Sequence, residues 1–254
     1  MQAAAARHWP EQEQQIAELN KQLKKDGDKQ KHQKELDQLI ERFRQPHNNT
    51  YYRDLQSGRT VRSSWQYYGA KYAHAPTTTP TEIPAKATHV AIIPRGQFLI
   101  IELGNQIPPE GTLRVRVRAA QSGQSSPTPP SLRLEFGWRA SNDSRALIRL
   151  SEHDLEITAK SESLQFYQWE IPLGNIYPRN SVRTTAKMGA TPNPSEYIRL
   201  SNSSVSQGEI QIDHVEITGP VHSQWPPQSH NRIFIDSPNR SDEPLYAKEV
   251  LEHL

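Results

Sequence analysis

Two stretches of strict alternation, TLRVRVRA and SLRLEFGW, do most to restrict what this chain can fold into. In the first, Leu113, Val115, Val117 and Ala119 share one face and Arg114, Arg116 and Arg118 share the other. In the second, Leu132, Leu134, Phe136 and Trp138 point inward while Arg133 and Glu135 point outward. A period of two is the signature of a strand with one buried face, and no helix gathers these positions on one side. The Ser/Pro/Gly loop QSGQSSPTPP joins the two segments, so they are expected to pair as a long-looped hairpin.

Further short apolar or alternating runs follow the same spacing: HVAIIP and QFLIIEL before them, then ALIRL, DLEIT, LQFYQWEI, YIRLSN and EIQIDHVEITG after them. No helical pattern interrupts these runs, which points to an antiparallel β-sandwich or jelly roll over residues 90–219. In the last run Ile210 and Ile212 are in one phase and Val215 and Ile217 in the other, which predicts a bulge near Asp213 and His214. Composition agrees with a thin core. The 254 residues include 20 prolines and only 34% hydrophobic side chains, and the mean hydropathy is -0.82.

Residues 1–45 read as an α-helical hairpin. Ile16, Leu19 and Leu23 recur at helical spacing, Asp26-Gly27-Asp28 interrupts, and Leu36, Leu39, Ile40 and Phe43 resume the pattern. Each helix has one narrow apolar stripe, which must pack on its twin or on another domain. Residues 46–89 form an aromatic, Thr/Pro-rich stretch expected to be a linker. Beyond Gly219-Pro220 the chain reads as extended through HSQWPPQSHNRIFIDSPN, residues 222–239. Asp242 then caps a helix with Pro244 in its first turn. This helix has barely begun when the sequence stops, so a truncated C-terminal helix opening a further helical domain is expected.

A formal charge of +2, from 30 basic and 28 acidic side chains, supplies little of the field that drives non-specific nucleic-acid binding. With no cysteine there can be no disulfide, thiolate zinc site, cysteine nucleophile or covalent haem attachment within these residues. The first residues, MQAAAARHWPEQEQQ, lack the apolar region of a signal peptide, and no later stretch is long and apolar enough for a membrane span.

The run IDHVEITGPVHSQWPPQSHNRIFIDSPNRSDEPLYAKEVLEHL, preceded by RVRVRA and LRLEFGW, resembles the central region of large planctomycete proteins associated with cytochrome c domains. The resemblance covers most of residues 90–254 and is most specific in the Gly-Pro, Trp-Pro-Pro and Ser-Pro-Asn-Arg stretch. It implies a β-sandwich similar to calcium-dependent, xylan-binding carbohydrate modules, set between helical domains. It also implies a periplasmic or cell-envelope setting, with neighbouring helical and cytochrome c domains as partners. The chain has no CxxCH motif, so it is not itself the electron carrier.

Sugar binding needs flat rings for the apolar face of a pyranose and amides or carboxylates for its hydroxyls. Trp65, Tyr67, Tyr68 and Tyr72 are close together in an otherwise polar segment and make one candidate platform. The loop ASNDSR is another: Asn142 and Asp143 offer oxygen ligands on an exposed turn, and Arg145 suits an acidic sugar. Trp138 and Trp169 stand in strong strand patterns and are expected in the core. The Arg114, Arg116 and Arg118 row suits an anionic polymer, or a solvated face paired with Glu135 and other cross-strand acids. Asp213 beside His214 is a calcium or hydrogen-bonding position by the resemblance, but no dense acidic loop is present and no metal is assigned. Neither HExxH nor GxSxG occurs. The sequence thus predicts a non-catalytic, carbohydrate-binding-like module, with a structural spacer between helical domains as the alternative.

Overall fold

The computed structural model describes residues 5–6, 9–25, 29–63, 82–83, 85, 87–103, 107–123, 128–139, 144–180, 196–203, 208–222, 224, 226 and 228–254. In order, the elements are α1 (Trp9–Lys25), α2 (Lys29–Arg42), β1 (Tyr51–Asp54), β2 (Thr60–Arg62), β3 (His89–Ile93), β4 (Phe98–Glu102), β5 (Thr112–Ser122) and β6 (Ser131–Arg139). They continue with β7 (Arg145–Arg149), β8 (Leu155–Glu156), β9 (Gln165–Pro172), β10 (Glu196–Asn202), β11 (Glu209–Val221), α3 (Gln228–Ile233) and α4 (Glu243–His253).

The described strands make two antiparallel sheets. The larger has the order β2-β1-β3-β11-β5-β9, and the smaller has the order β4-β10-β6-β7 with β8 also paired to β6. Leu113, Val115, Val117 and Ala119 of β5 are buried in one core with Leu132, Leu134 and Phe136 of β6. Each of these Leu, Val and Phe side chains contributes about 1.5–3 kcal/mol by leaving water. Trp138 and Trp169 belong to the same core, as their strand patterns predict.

The expected hairpin of β5 with β6 does not form. β5 lies between β11 and β9, whereas β6 lies between β10 and β7, so two strands consecutive in the chain stand in different sheets. Alternation fixes which face is apolar, but two such faces can lie side by side or opposite each other across a core. Here they are opposite. The bulge in β11 falls where the phase change placed it, with a register shift between Ile212 and His214 against β5.

Two strands lie in the stretch expected to be a linker. β1 pairs with β3, and β2 pairs with β1. Tyr52 enters the main core, while Tyr51 on the opposite side of β1 forms a small second cluster with Val90 and Ile92. The helical hairpin also docks on this edge. Trp9 is buried with the main core, the Arg59 guanidinium lies 5.2 Å from its ring, and Gln12 Nε2 donates to Thr60 O at 2.7 Å. At the other end Asp242 accepts from Leu245 N at 3.2 Å, the cap expected of α4. Tyr246 OH donates to Ile235 O at 2.9 Å, so the segment before α4 is folded against it.

Candidate functional site: the outer face of the smaller sheet

Register decides which side chains share the outer face of the smaller sheet. Opposite pairs are Phe98 with Ser201, Arg199 with Glu135, Tyr197 with Gly137, Gly137 with Leu147, and Arg139 with Arg145. Their strand neighbours Leu99, Leu200 and Leu134 face the core. The outer face therefore carries Phe98, Tyr197, Arg199, Ser201, Glu135, Arg139, Arg145 and Leu147.

Near one end, Arg199 grips Glu135 with both arms, Nε to Oε2 at 2.7 Å and a terminal nitrogen to Oε1 at 2.9 Å, while Ser201 Oγ donates to Oε2 at 2.6 Å. Burial pushes the Glu135 carboxyl up, but the hydrogen bonds from Arg199 and Ser201 outweigh it and hold the group below its ordinary range. The Arg199 guanidinium also lies 4.8 Å from the Phe98 ring centroid. Beside them Asp154 accepts from Arg133, Arg149 and Ser203.

At the other end the Tyr197 ring lies directly over Gly137. A Cβ on Gly137 would stand 2.5 Å from Cζ and 2.6 Å from the hydroxyl of Tyr197, so this ring position requires glycine. Phe98 is 36% exposed and Leu147 46% exposed, at opposite corners of the face. They are offset by four residues along the strands and three strand spacings across them, a diagonal of roughly 20 Å.

Of the sequence-predicted site residues, Arg145 is placed on this face, exposed on β7. Trp65, Tyr67, Tyr68, Tyr72, Asn142 and Asp143 lie outside the described residues. Phe98, Arg199, Tyr197 and Leu147 were not singled out by sequence reasoning. The mid-strand glycine in LRLEFGW and the shared phase of Tyr197, Arg199 and Ser201 in YIRLSN are the signals that point to them.

The arginine row lies on the outer face of the larger sheet and is paired along its length. Arg114 bonds Glu170 at 2.9 Å, Arg116 bonds Glu216 at 3.0 Å and Arg118 bonds Asp213 at 2.7 Å. Glu135, the partner expected for this row, belongs to the other sheet and pairs with Arg199 instead. Asp213 gives both carboxylate oxygens to Arg118 and its side chain is 3% exposed. It does not fit a calcium site, because a cation there would face a guanidinium. Among the described residues, no group of three or more His, Asp or Glu side chains is placed to share a metal ion. Among the described helices, none is long and apolar enough to cross a membrane.

No family model matches the sequence, and no curated protein matches it. Solved structures do. The xylan-binding CBM22-1 domain of Xyn10C from Paenibacillus barcinonensis is similar at 10% identity and TM-score 0.36, over 56% of this chain and 79% of that one. The N-terminal cellulose-binding domain of Cellulomonas fimi β-1,4-glucanase C is similar at 13% identity and TM-score 0.36, over 71% and 94%. The K3 adhesin domain of Lys-gingipain from Porphyromonas gingivalis is similar at 14% identity and TM-score 0.30, over 52% and 75%.

Proposed function

We propose that this chain is a non-catalytic carbohydrate-binding module that positions a larger cell-envelope protein on polysaccharide. The observation that carries the reading is the outer face of the smaller sheet. Its exposed ring and exposed aliphatic side chain stand at opposite corners, with hydroxyl, carboxylate and guanidinium groups held in place between them. Such a face offers apolar contact to the C–H face of a pyranose and planar hydrogen-bonding groups to its hydroxyls. Hydrolysis would require a carboxyl kept protonated near neutral pH, and on this face Glu135 and Asp154 are instead held as carboxylates by their arginines.

Retention in gels containing xylan, pectin or algal polysaccharide, with calcium and with chelator, tests the proposal. Phe98→Ala should weaken retention about tenfold with little change in thermal midpoint, since the ring is partly exposed. Trp65→Ala should weaken it more than Asn142→Ala, because stacked rings make the larger contribution. Absence of retention on every polysaccharide would defeat the reading.

A second reading, a structural spacer between helical domains, is favoured by the docking of α1. Trp9 and Gln12 fix the hairpin to β2 and the core, which suits a rigid connection to a neighbouring domain. This reading takes the first one's place if no polysaccharide is retained.

A further inference from the structure

Two segments tied to each other close one end of the sandwich. At this end β5 begins opposite the end of β9, with Thr112 paired to Pro172, and β10 begins opposite the end of β6, with Glu196 paired to Trp138. Residues 107–111 lead into β5 and residues 173–180 follow β9. Leu173 N donates to Gly111 O at 2.8 Å, and the Arg179 guanidinium donates to Ile107 O at 3.0 Å and Pro108 O at 3.1 Å. Between these ties the segments lie side by side. Pro109 and Glu110 are exposed on the first, and Asn175, Tyr177 and Pro178 on the second.

Tyr177 is 79% exposed, against 36% for Phe98 and 38% for Phe166. Its backbone is nevertheless fixed from both sides. On one side Leu173 and Ile176 are buried in the main core, and Ile176 N donates to Leu173 O at 3.1 Å. On the other, Pro178 O accepts from Trp138 Nε1 at 2.9 Å, Arg179 grips the buried Glu196 carboxylate, and Asn180 N donates to Glu196 Oε1 at 3.3 Å. Ordering these residues costs conformational entropy, and a ring left in water does nothing to offset that cost. A large ring held rigidly in solvent is what a stacking contact needs, because the ligand then meets a surface already in place. Among the described residues, the side chains of Tyr177, Asn175 and Glu110 make no hydrogen bond or ion pair, so an amide and a carboxylate stand open on the same closed end.

We infer that this end of the sandwich is a second sugar subsite, in which the Tyr177 ring stacks on an uncharged pyranose of a neutral polysaccharide. The inference rests on the carbohydrate-binding reading and adds to it a site apart from the sheet face, with a class of sugar. The Tyr177 ring and the neighbouring proline surface suit the C–H face of a pyranose, and the Asn175 amide and Glu110 carboxylate suit its hydroxyls. Charge selects the class. Glu110 and Arg179 are the only charged side chains in residues 107–111 and 173–180, and Arg179 is committed to Glu196. A uronate or sulfate ester would therefore meet a carboxylate with no free cation in these segments to offset it.

The test is affinity electrophoresis of the whole chain in gels of neutral xylan, a neutral β-glucan and polygalacturonate, with thermal midpoints measured alongside. Tyr177→Ala should weaken retention on a neutral gel about tenfold, as expected for one lost stacking contact, and leave the midpoint unchanged. Tyr177→Leu, which keeps apolar bulk without a flat ring, should be as weak, whereas Tyr177→Phe should be retained like the unaltered chain. Phe166→Ala removes an exposed ring from the outer face of the larger sheet and should change nothing. Retention on polygalacturonate alone, or neutral retention that Tyr177→Ala or Tyr177→Leu leaves intact, overturns the inference while the carbohydrate-binding reading stands. A fall in the midpoint of Tyr177→Ala would make the ring a packing residue and overturn the inference too. No retention on any gel overturns both.

Discussion

Removing Arg179 should destabilise the sandwich more than any surface substitution, because it would strand a fully buried carboxylate. Glu196, the first residue of β10, has a side chain with no exposure, and the Arg179 side chain is 16% exposed. Arg179 donates to Glu196 Oε1 at 2.8 Å and Oε2 at 2.8 Å, and to the carbonyls of Ile107 at 3.0 Å and Pro108 at 3.1 Å. It therefore ties three segments together at the end of the sheet where Trp138 Nε1 donates to Pro178 O at 2.9 Å. Breaking a buried pair from one side costs about 3–5 kcal/mol, out of roughly 5–15 kcal/mol for a whole domain. With a urea slope of about 3 kcal/mol/M, Arg179→Ala should lower the unfolding midpoint by about 1–2 M. Replacing both partners together, Arg179→Met with Glu196→Leu, should recover most of the loss, since no charge is then left buried. A shift below about 0.3 M for the single variant, or a double variant as unstable as the single one, would show that no buried charge is left uncompensated at Glu196.

Further outcomes concern the helical hairpin and three carboxyl groups. Trp9→Ala should cost about 3 kcal/mol in urea unfolding because its ring belongs to the main core, and a chain of residues 46–222 should unfold cooperatively at a lower midpoint than the whole chain. Glu135 and Asp154 are held below the ordinary carboxylate range in the folded state. Their stabilisation is present above the unfolded value of about 4 and lost as pH falls through the lower folded values, so Glu135→Gln should flatten the acid limb of the stability profile. Burial pushes the Glu209 carboxyl up, against the pull of Arg53. Its ionisation opposes folding at neutral pH, so Glu209→Gln should raise the thermal midpoint at pH 7, with the gain vanishing near pH 4.

The inward and outward faces of β5 and β6 were legible because alternation is a local property of the chain. Which strand lies beside which was not, since β5 and β6 are adjacent in sequence yet lie in different sheets. The same gap explains the misplaced partner of the arginine row: Glu135 points outward as expected, but the register gives it Arg199. β1 went unrecognised because YYRD is four residues in a polar context, and the burial of Tyr51 and Tyr52 comes from β3 beside it. Within the candidate site, Arg145 was accessible because it closes the polar run ASNDSR, whereas Tyr197 gains its place only from lying over Gly137. Phe98 and Leu147 are ordinary strand residues in the sequence, and only the pairing of β4 with β10 and of β7 with β6 brings them to one face.

The most direct test of the central claim is a map of where a soluble polysaccharide touches the folded chain, from backbone amide chemical shifts during titration with uronate-containing and sulfated oligosaccharides and with neutral xylo-oligosaccharides. Binding on the outer face of the smaller sheet gives saturable shifts concentrated in residues 98–102, 133–139, 145–149 and 197–201. Shifts confined to the outer face of the larger sheet around Arg114, Arg116 and Phe166, or no saturable shifts with any oligosaccharide, would contradict it.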